Sequence, residues 1–212
     1  MAKKAKKTTP KSAPKKAATK KTTTKKTAVK KSMTKKAASV KSAAKASKPA
    51  IKRVVGGSKV KVGEAVPAFS LPGTSNKQFD LAAFKGKSVV LYFYPKDATP
   101  GCTIEGHDFT KLLPEFQKSG AEVFGISRDT IKSHEKFKEK EGYSFDLLSD
   151  EDEKLCGLFG VMKEKNMYGK KVWGVDRSTF LIGPDGKLAA EWRGVKVEGH
   201  AQEVLKKVQE QA

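Results

Sequence analysis

One cysteine lies in a proline-rich turn near the middle of the chain. Cys102 belongs to the stretch 94–103, Tyr-Pro-Lys-Asp-Ala-Thr-Pro-Gly-Cys-Thr, which follows an apolar run and precedes a helical pattern. In the first turn of a helix, free backbone N–H groups and the positive end of the dipole favour an anion. A thiolate is such an anion, and it is the nucleophilic form of cysteine. The sequence therefore predicts a reactive Cys102.

Three neighbours of this cysteine have side chains that suit the same chemistry. Thr99, three residues earlier, can place a hydroxyl beside the sulfur to donate a hydrogen bond or orient an incoming oxygen. Pro95 and Pro100 restrict the loop because proline fixes φ. The structural alternative is an inert cysteine buried at a turn.

Together these residues resemble a known family. Pro95, Thr99 and Cys102 form Pro-x-x-x-Thr-x-x-Cys, which matches the active-site motif of peroxiredoxins, thiol peroxidases of the thioredoxin-like fold. The longer string 93–103 resembles the peroxiredoxin Q subfamily, also called bacterioferritin comigratory protein. The segment 176–182, Asp-Arg-Ser-Thr-Phe-Leu-Ile, is similar to the later arginine-containing strand of that family. The likeness spans roughly residues 59–212.

The resemblance implies a fold, a reaction and a set of catalytic residues. The fold is α/β and thioredoxin-like, with a central mixed sheet and helices on both faces. Cys102 is then the peroxidatic cysteine, which attacks a peroxide and becomes sulfenic acid. Thr99 polarises the peroxide, Pro95 shapes the loop, and Arg177 stabilises the thiolate; a surface ion pair is the alternative role for Arg177. Thioredoxin or another thiol is the reductant, and no cofactor or metal is implied.

The sequence departs from the subfamily at the second thiol. Many members carry it five residues after the first, where this chain has His107. The other cysteine, Cys156, lies beside the apolar stripe formed by Leu155, Leu158 and Phe159. A disulfide needs the two Cα atoms within about 7 Å, so Cys156 stays open between a structural and a resolving role. We favour a one-cysteine cycle with an external thiol.

Hydrophobic patterning predicts the elements that position these residues. Apolar runs indicate strands at 88–94, 121–127 and 178–183, and a turn at 184–186 indicates a hairpin with 187–192. Helical patterns cover 102–117, 130–141, 151–159 and 198–211, and Pro114 is expected to kink or end the first of these helices. The acidic run 150–153 suits a helix N-terminus.

The first quarter of the chain has a different composition from the rest. Residues 1–53 hold 19 Lys and one Arg, no Asp or Glu, and no Phe, Tyr, Trp, Leu, Gly or Cys. Residues 54–212 hold 24 basic and 23 acidic residues, so the tail carries +20 of the net charge of +21. Such a segment cannot bury enough apolar surface to offset the entropy of ordering. We predict a disordered Lys-rich tail over 1–55 and one folded domain over 56–212.

Lysine doublets recur every five residues along this tail. On a helix they would spiral around the axis and form no single stripe, so an amphipathic membrane helix is disfavoured. Evenly spaced lysines suit the phosphates of nucleic acid, which they bind without reading sequence. The composition resembles the tails of linker histones; a merely solubilising tail is the alternative. The predicted nucleic-acid-binding residues are Lys15, Lys16, Lys20, Lys21, Lys25, Lys26, Lys30, Lys31, Lys35 and Lys36.

Composition also bears on location and on the rival function. No apolar run reaches the length of a membrane span, and two cysteines do not form a disulfide framework, so an intracellular protein is expected. The expected location is the cytoplasm or nucleoid in a bacterium and the nucleus in a eukaryote. The expected oligomeric state is a monomer or a weak dimer. The rival hypothesis is a nucleic-acid-compacting protein whose peroxiredoxin-like domain has weak catalytic activity.

Overall fold

Most strands belong to one mixed sheet in the computed structural model, which describes residues 58–167 and 169–211. The strand order within it is β2-β1-β5-β4-β3-β8-β9. A separate antiparallel hairpin is formed by two further strands, β6 and β7. The bounds are β1 Ser70–Gly73, β2 Lys77–Asp80, β3 Ser88–Phe93, β4 Ala121–Ser127, β5 Asp146–Ser149, β6 Met162–Met167, β7 Lys170–Val175, β8 Ser178–Ile182 and β9 Leu188–Arg193.

The direction of the central strands decides where the loops meet. β3, β4 and β5 run parallel, so their carboxyl ends share one edge of the sheet. β8 runs antiparallel to β3, with Ser178 paired to Phe93. The start of β8 therefore lies beside the end of β3, and this edge is where ligands bind in open α/β sheets.

Four α-helices and one short 3₁₀ helix accompany the described strands, and the last of them in the chain follows β9. They are α1 Pro100–Lys118, α2 Ile131–Glu141, α3 Lys154–Leu158 and α4 His200–Gln209, with the 3₁₀ helix at Leu81–Phe84. None of the helices within the described ranges is long and apolar enough to cross a membrane.

The sheet separates two hydrophobic cores. Along β3, Val90 and Tyr92 pack with residues of α1, α2 and α4, whereas Leu91 and Phe93 pack with residues of α3 and the 3₁₀ helix. Successive side chains of a strand point to opposite faces, so β3 is buried on both sides. The expected mixed sheet with helices on both faces is thus confirmed.

Pro114 was expected to kink or end the first helix, and the second of these outcomes was wrong, because α1 does not end there. The helix continues to Lys118 with Pro114 inside it. Leu113 and Phe116 on either side are buried against the sheet. This packing outweighs the backbone hydrogen bond that the proline cannot make.

The third helix is shorter than the pattern 151–159 indicated. α3 starts at Lys154, and the carboxylate of Asp150 accepts hydrogen bonds from the backbone N–H groups of Leu155 and Cys156, at 3.2 and 2.7 Å. Part of the acidic run thus satisfies free N–H groups at a helix start, as expected. The predicted tail over 1–55 and its junction with the domain lie outside the described residues.

Candidate active site

Cys102 lies in the first turn of α1 and is buried, with 2 % of its surface exposed. Thr99 is the N-cap residue, in extended conformation, and Pro100 is the first helical residue. The N–H of Thr103 makes the first intrahelical bond, to the carbonyl of Thr99 at 2.9 Å. The N–H groups of Gly101 and Cys102 precede that bond, so the positive end of the helix lies at the sulfur.

Thr99 and Pro95 shape the loop that leads into this helix. The last ladder bond after β3 is donated by Tyr94 to the carbonyl of Ile126, and Pro95 follows without a donor of its own. The Thr99 hydroxyl donates to the carbonyl of Lys96 at 3.0 Å, so its lone pairs remain available to an incoming group. Thr99 makes no side-chain cap bond.

Arg177 reaches Cys102 although 75 residues separate them in the chain. Its Nη2 donates to the Sγ of Cys102 at 3.3 Å. The contact forms because Arg177 immediately precedes β8, whose first residue pairs with the last residue of β3. Burial disfavours the charged guanidinium, but Glu105 and Cys102 outweigh it and raise the pKa of Arg177. A fixed cation therefore faces the sulfur.

Gly101 leaves room for this guanidinium. A Cβ at position 101 would lie 3.3 Å from the Nη2 of Arg177, which is closer than most contacts that a real Cβ makes. The small residue before the cysteine thus permits the close approach of the arginine to the helix start.

Glu105 is a site residue that the sequence analysis missed. It is 1 % exposed, and its Oε2 accepts a hydrogen bond from the Nη1 of Arg177. Its other oxygen, Oε1, has no hydrogen-bond partner within the part of the chain that the structure describes. Burial, opposed by the charge of Arg177, raises the pKa of Glu105 to about 7. The available signal was the i, i+3 spacing, which places Glu105 and Cys102 on one helix face.

Arg177 therefore donates hydrogen bonds to two acidic groups, and it uses a different guanidinium nitrogen for each. Nη1 faces Glu105, and Nη2 faces Cys102. The planar guanidinium presents its donors in a fixed fork, so the carboxyl group orients the nitrogen that points to the sulfur. The geometry suits a thiolate nucleophile beside a cation that can stabilise developing negative charge.

Cys156 is not part of this arrangement. It is fully buried in α3 and packs in the core on the other face of the sheet from Cys102. Burial and the neighbouring Asp150 raise the pKa of the Cys156 thiol well above its ordinary value. Both cysteines are free thiols. The structure thus brings Arg177 to Cys102, places Thr99 at the N-cap of the same helix, and keeps Cys156 in the other core.

The remaining predicted residues lie on the surface or outside the described residues. His107, five positions after Cys102, is exposed and pairs with Glu141 at 3.2 Å. Among the described residues, no group of three His, Cys, Asp or Glu side chains could hold a metal ion. The ten lysines assigned to nucleic-acid binding fall in the part of the chain that is not described.

Comparison with known proteins finds one family over most of the domain. The AhpC/TSA family model matches residues 62–191. Peroxiredoxin Bcp of Xanthomonas campestris is 59% identical over 128 residues, which are 60% of this chain and 80% of that protein. Peroxiredoxin Bcp of Bacillus subtilis is 44% identical over 146 residues, 69% of this chain and 93% of that protein.

Solved structures show the same similarity in three dimensions. A cysteine-to-serine mutant of Xylella fastidiosa PrxQ superimposes with a TM-score of 0.69 at 45% identity, covering 73% of this chain and 98% of that one. The Xanthomonas campestris bacterioferritin comigratory protein, described for its alkyl peroxide reduction activity, gives a TM-score of 0.64 at 53% identity, covering 67% and 90%. The thioredoxin-like fold expected from the motif is confirmed.

Proposed function

The chain belongs to the AhpC/TSA family and is a peroxiredoxin of the Bcp group, and we propose that the Cys102 thiolate reduces hydrogen peroxide and organic hydroperoxides. The observation that carries this proposal is the buried sulfur at the start of α1 with the Nη2 of Arg177 at 3.3 Å. A thiolate held beside a cation and a helix N-terminus is the activated nucleophile that the reaction needs.

The first half-reaction balances with the groups present. The Cys102 thiolate attacks one peroxide oxygen, an S–O bond forms, and the O–O bond breaks. The second oxygen leaves as hydroxide or alkoxide and takes up from solvent the proton that the thiol released on ionising, which gives water or alcohol, and Cys102 becomes sulfenic acid. Arg177 stabilises the negative charge that moves from sulfur to the leaving oxygen. The Thr99 hydroxyl, which donates to the carbonyl of Lys96, accepts a hydrogen bond from the peroxide and orients it.

The second half-reaction needs a thiol from outside the chain. Cys156 lies in the opposite core, and position 107 holds histidine. We therefore propose a one-cysteine cycle. A thiolate of thioredoxin or glutathione attacks the sulfenic sulfur, water leaves, and a mixed disulfide forms. A second thiol then displaces Cys102 and restores its reduced form.

A second function is proposed for the tail. Residues 1–53 carry +20 with no acidic residue, which favours a sequence-independent attachment to the phosphates of nucleic acid. We propose that the tail tethers the peroxidase domain to nucleic acid, in the nucleoid of a bacterium or the nucleus of a eukaryote. The domain itself is balanced in charge, so the two functions reside in separate parts of the chain.

The proposed peroxidase is tested by peroxide consumption with excess thiol. The wild type and Cys156→Ser should consume peroxide, and Cys102→Ser should not, because a serine hydroxyl is not ionised at neutral pH. Substantial turnover by Cys102→Ser would contradict the assignment of the nucleophile. Absence of turnover in the wild type would favour the rival hypothesis of a nucleic-acid-compacting protein.

A further inference from the structure

A buried polar cluster lies directly beneath the catalytic loop and takes no part in the mechanism above. It comprises Tyr94, Asp97, Ser133 and His134, here called the Asp97 cluster. His134 is fully buried, and Asp97 is 7 % exposed. Asp97 belongs to the loop between β3 and α1, and Ser133 and His134 lie in the first turn of α2. The cluster therefore connects the loop to a separate helix.

The carboxylate of Asp97 accepts hydrogen bonds from three side chains. The Tyr94 hydroxyl donates to Oδ1 at 2.8 Å, and the Ser133 hydroxyl donates to Oδ2 at 2.7 Å. His134 Nδ1 lies 3.0 Å from both oxygens. Burial favours the protonated acid, but the hydrogen bond and charge of His134, with the two hydroxyls, hold the pKa of Asp97 below its usual range. The carboxylate is thus ionised and satisfied.

His134 has an acceptor at each ring nitrogen. Nε2 lies 3.2 Å from the carbonyl oxygen of Leu148, which can only accept, and Nδ1 faces the Asp97 carboxylate. The ring therefore bridges the loop carboxylate and the carbonyl of Leu148, and replacing either His134 or Asp97 removes this buried contact.

The backbone of the loop is held at the same place. The N–H of Asp97 donates to the Oδ2 of Asp129 at 2.9 Å. The next residue, Ala98, has φ +54, a left-handed conformation that residues with a Cβ seldom adopt. Such a conformation persists only where the surroundings enforce it, and here it lies between Asp97 and Thr99.

The two reacting side chains are therefore fixed by different parts of the structure. Cys102 is set by α1 and by Arg177. Thr99 begins the same helix, but the direction of its hydroxyl is set by the loop, through the bond to the carbonyl of Lys96. Loosening the loop displaces Thr99 more than it displaces the sulfur. From this we infer that Asp97 and His134 are positioning residues. They hold the Thr99 hydroxyl at the position relative to the Cys102 sulfur that peroxide reduction requires.

This inference rests on the proposed peroxidase function. It predicts that two reactions of the Cys102 thiol, oxidation by peroxide and alkylation, respond differently to a change at Asp97. Oxidation by peroxide needs both the thiolate and the oriented hydroxyl, whereas alkylation by iodoacetamide needs only the thiolate. In Asp97→Asn, we expect the rate of Cys102 oxidation by hydrogen peroxide to fall about 10- to 100-fold, as small misplacements of reacting groups do. The rate of Cys102 alkylation should stay within about threefold of the wild type.

The two rates are measured on the full-length protein by quenched flow and peptide mass spectrometry, which resolves Cys102 from Cys156. Asp146→Asn is the matched control. Its carboxylate also contacts α2, because it accepts a hydrogen bond from Lys138 at 2.5 Å. Asp146 is the first residue of β5, however, and lies at the end of that strand away from the Asp97 cluster. Both rates of this control should equal those of the wild type.

Several outcomes overturn the inference. They are an unchanged peroxide rate in folded Asp97→Asn, an equal fall of both rates, and the same selective loss in Asp146→Asn. If Asp97→Asn does not fold, Ser133→Ala decides, because it removes one hydrogen bond to Asp97 and keeps both Asp97 and His134. It should show a smaller selective loss, and wild-type rates would overturn the inference. Failure of wild-type Cys102 to oxidise would instead contradict the proposed function.

Discussion

Cys102 and Cys156, the two thiols of the chain, are buried on opposite faces of the central sheet. Cys102 belongs to the core that contains Tyr92 and Tyr94, and Cys156 belongs to the core that contains Leu91 and Phe93, which alternate with those tyrosines along the chain. A disulfide requires Cα atoms within about 7 Å and side chains that point toward each other. Because the two thiols lie in separate cores, we expect no Cys102–Cys156 disulfide in the folded protein.

The first prediction concerns the product of oxidation. After one equivalent of peroxide and no thiol, the folded wild type should gain one oxygen atom in an intact-mass spectrum, because Cys102 stops at sulfenic acid. Cys156→Ser should gain the same mass and keep its turnover with excess small thiol within about threefold, as the proposed one-cysteine cycle requires. A loss of two hydrogen atoms in the wild type, absent in Cys156→Ser, would show a Cys102–Cys156 bridge and contradict the one-cysteine cycle.

The second prediction concerns the cation beside the sulfur. Arg177→Met should lower the rate of Cys102 oxidation by about 10²-fold or more, because it removes the donor at Sγ and the charge that stabilises the leaving oxygen. Stopped-flow measurement of the second-order rate constant tests this. Arg193→Met is the control, since Arg193 instead donates to the carbonyl of Phe159 and lies over the ring of Phe180. It should change stability and not the rate; equal rates in both variants would remove Arg177 from the site.

The third prediction is a pH dependence of stability that Glu105 causes. Burial raises the pKa of Glu105 from 4.5 to about 7 despite the charge of Arg177. Between these values the folded protein keeps a proton that the unfolded chain has released, so the contribution of Glu105 to stability falls as pH rises. The change amounts to roughly 3 kcal/mol from below pH 4.5 to above pH 7. Glu105→Gln, which does not titrate, should lack it.

Urea unfolding of the wild type and Glu105→Gln at several pH values measures this difference. His200 contributes with the opposite sign, because burial lowers its pKa from 6.5 to about 4, and its contribution is lost as pH falls through that range. His200 is present in both proteins, so the difference between the two curves isolates Glu105. A difference that does not vary between pH 4.5 and 7 would contradict the assignment.

The fourth prediction concerns the tail. A protein that starts at Gly56 should keep its peroxidase activity within about twofold, because every proposed catalytic group lies in the domain. It should lose most of its affinity for duplex DNA, since +20 of the charge is gone. For the full chain, log K should fall linearly with log salt, by about 0.9 per phosphate neutralised, and scrambling the DNA sequence should matter little. Tight, salt-insensitive binding by the shortened protein would contradict the proposal.

Much of the fold followed from local patterns. The strands β3, β4, β8 and β9 and the helices α2 and α4 lie within two residues of their predicted bounds, because buried strands and amphipathic helices leave strong periodic signals. The strands β1, β2 and β5 were missed, since four-residue strands are too short to show a period. The β6–β7 hairpin was missed too, because the middle of β6 is entirely polar and neither strand shows the alternation of polar and apolar residues that marks a half-buried strand.

Some features of the candidate site could likewise be predicted from the sequence, and others could not. The sequence by itself determined the Thr99–Cys102 spacing, the turn before α1 and the charge of the tail, because these depend only on neighbours along the chain. The tertiary structure alone decided that Arg177 meets Cys102, through the antiparallel pairing of β3 and β8. It also decided that Glu105 is buried and that Cys156 faces the other core. Distances across the sheet and the desolvation of a charge depend on packing between distant segments, which local spacing does not encode.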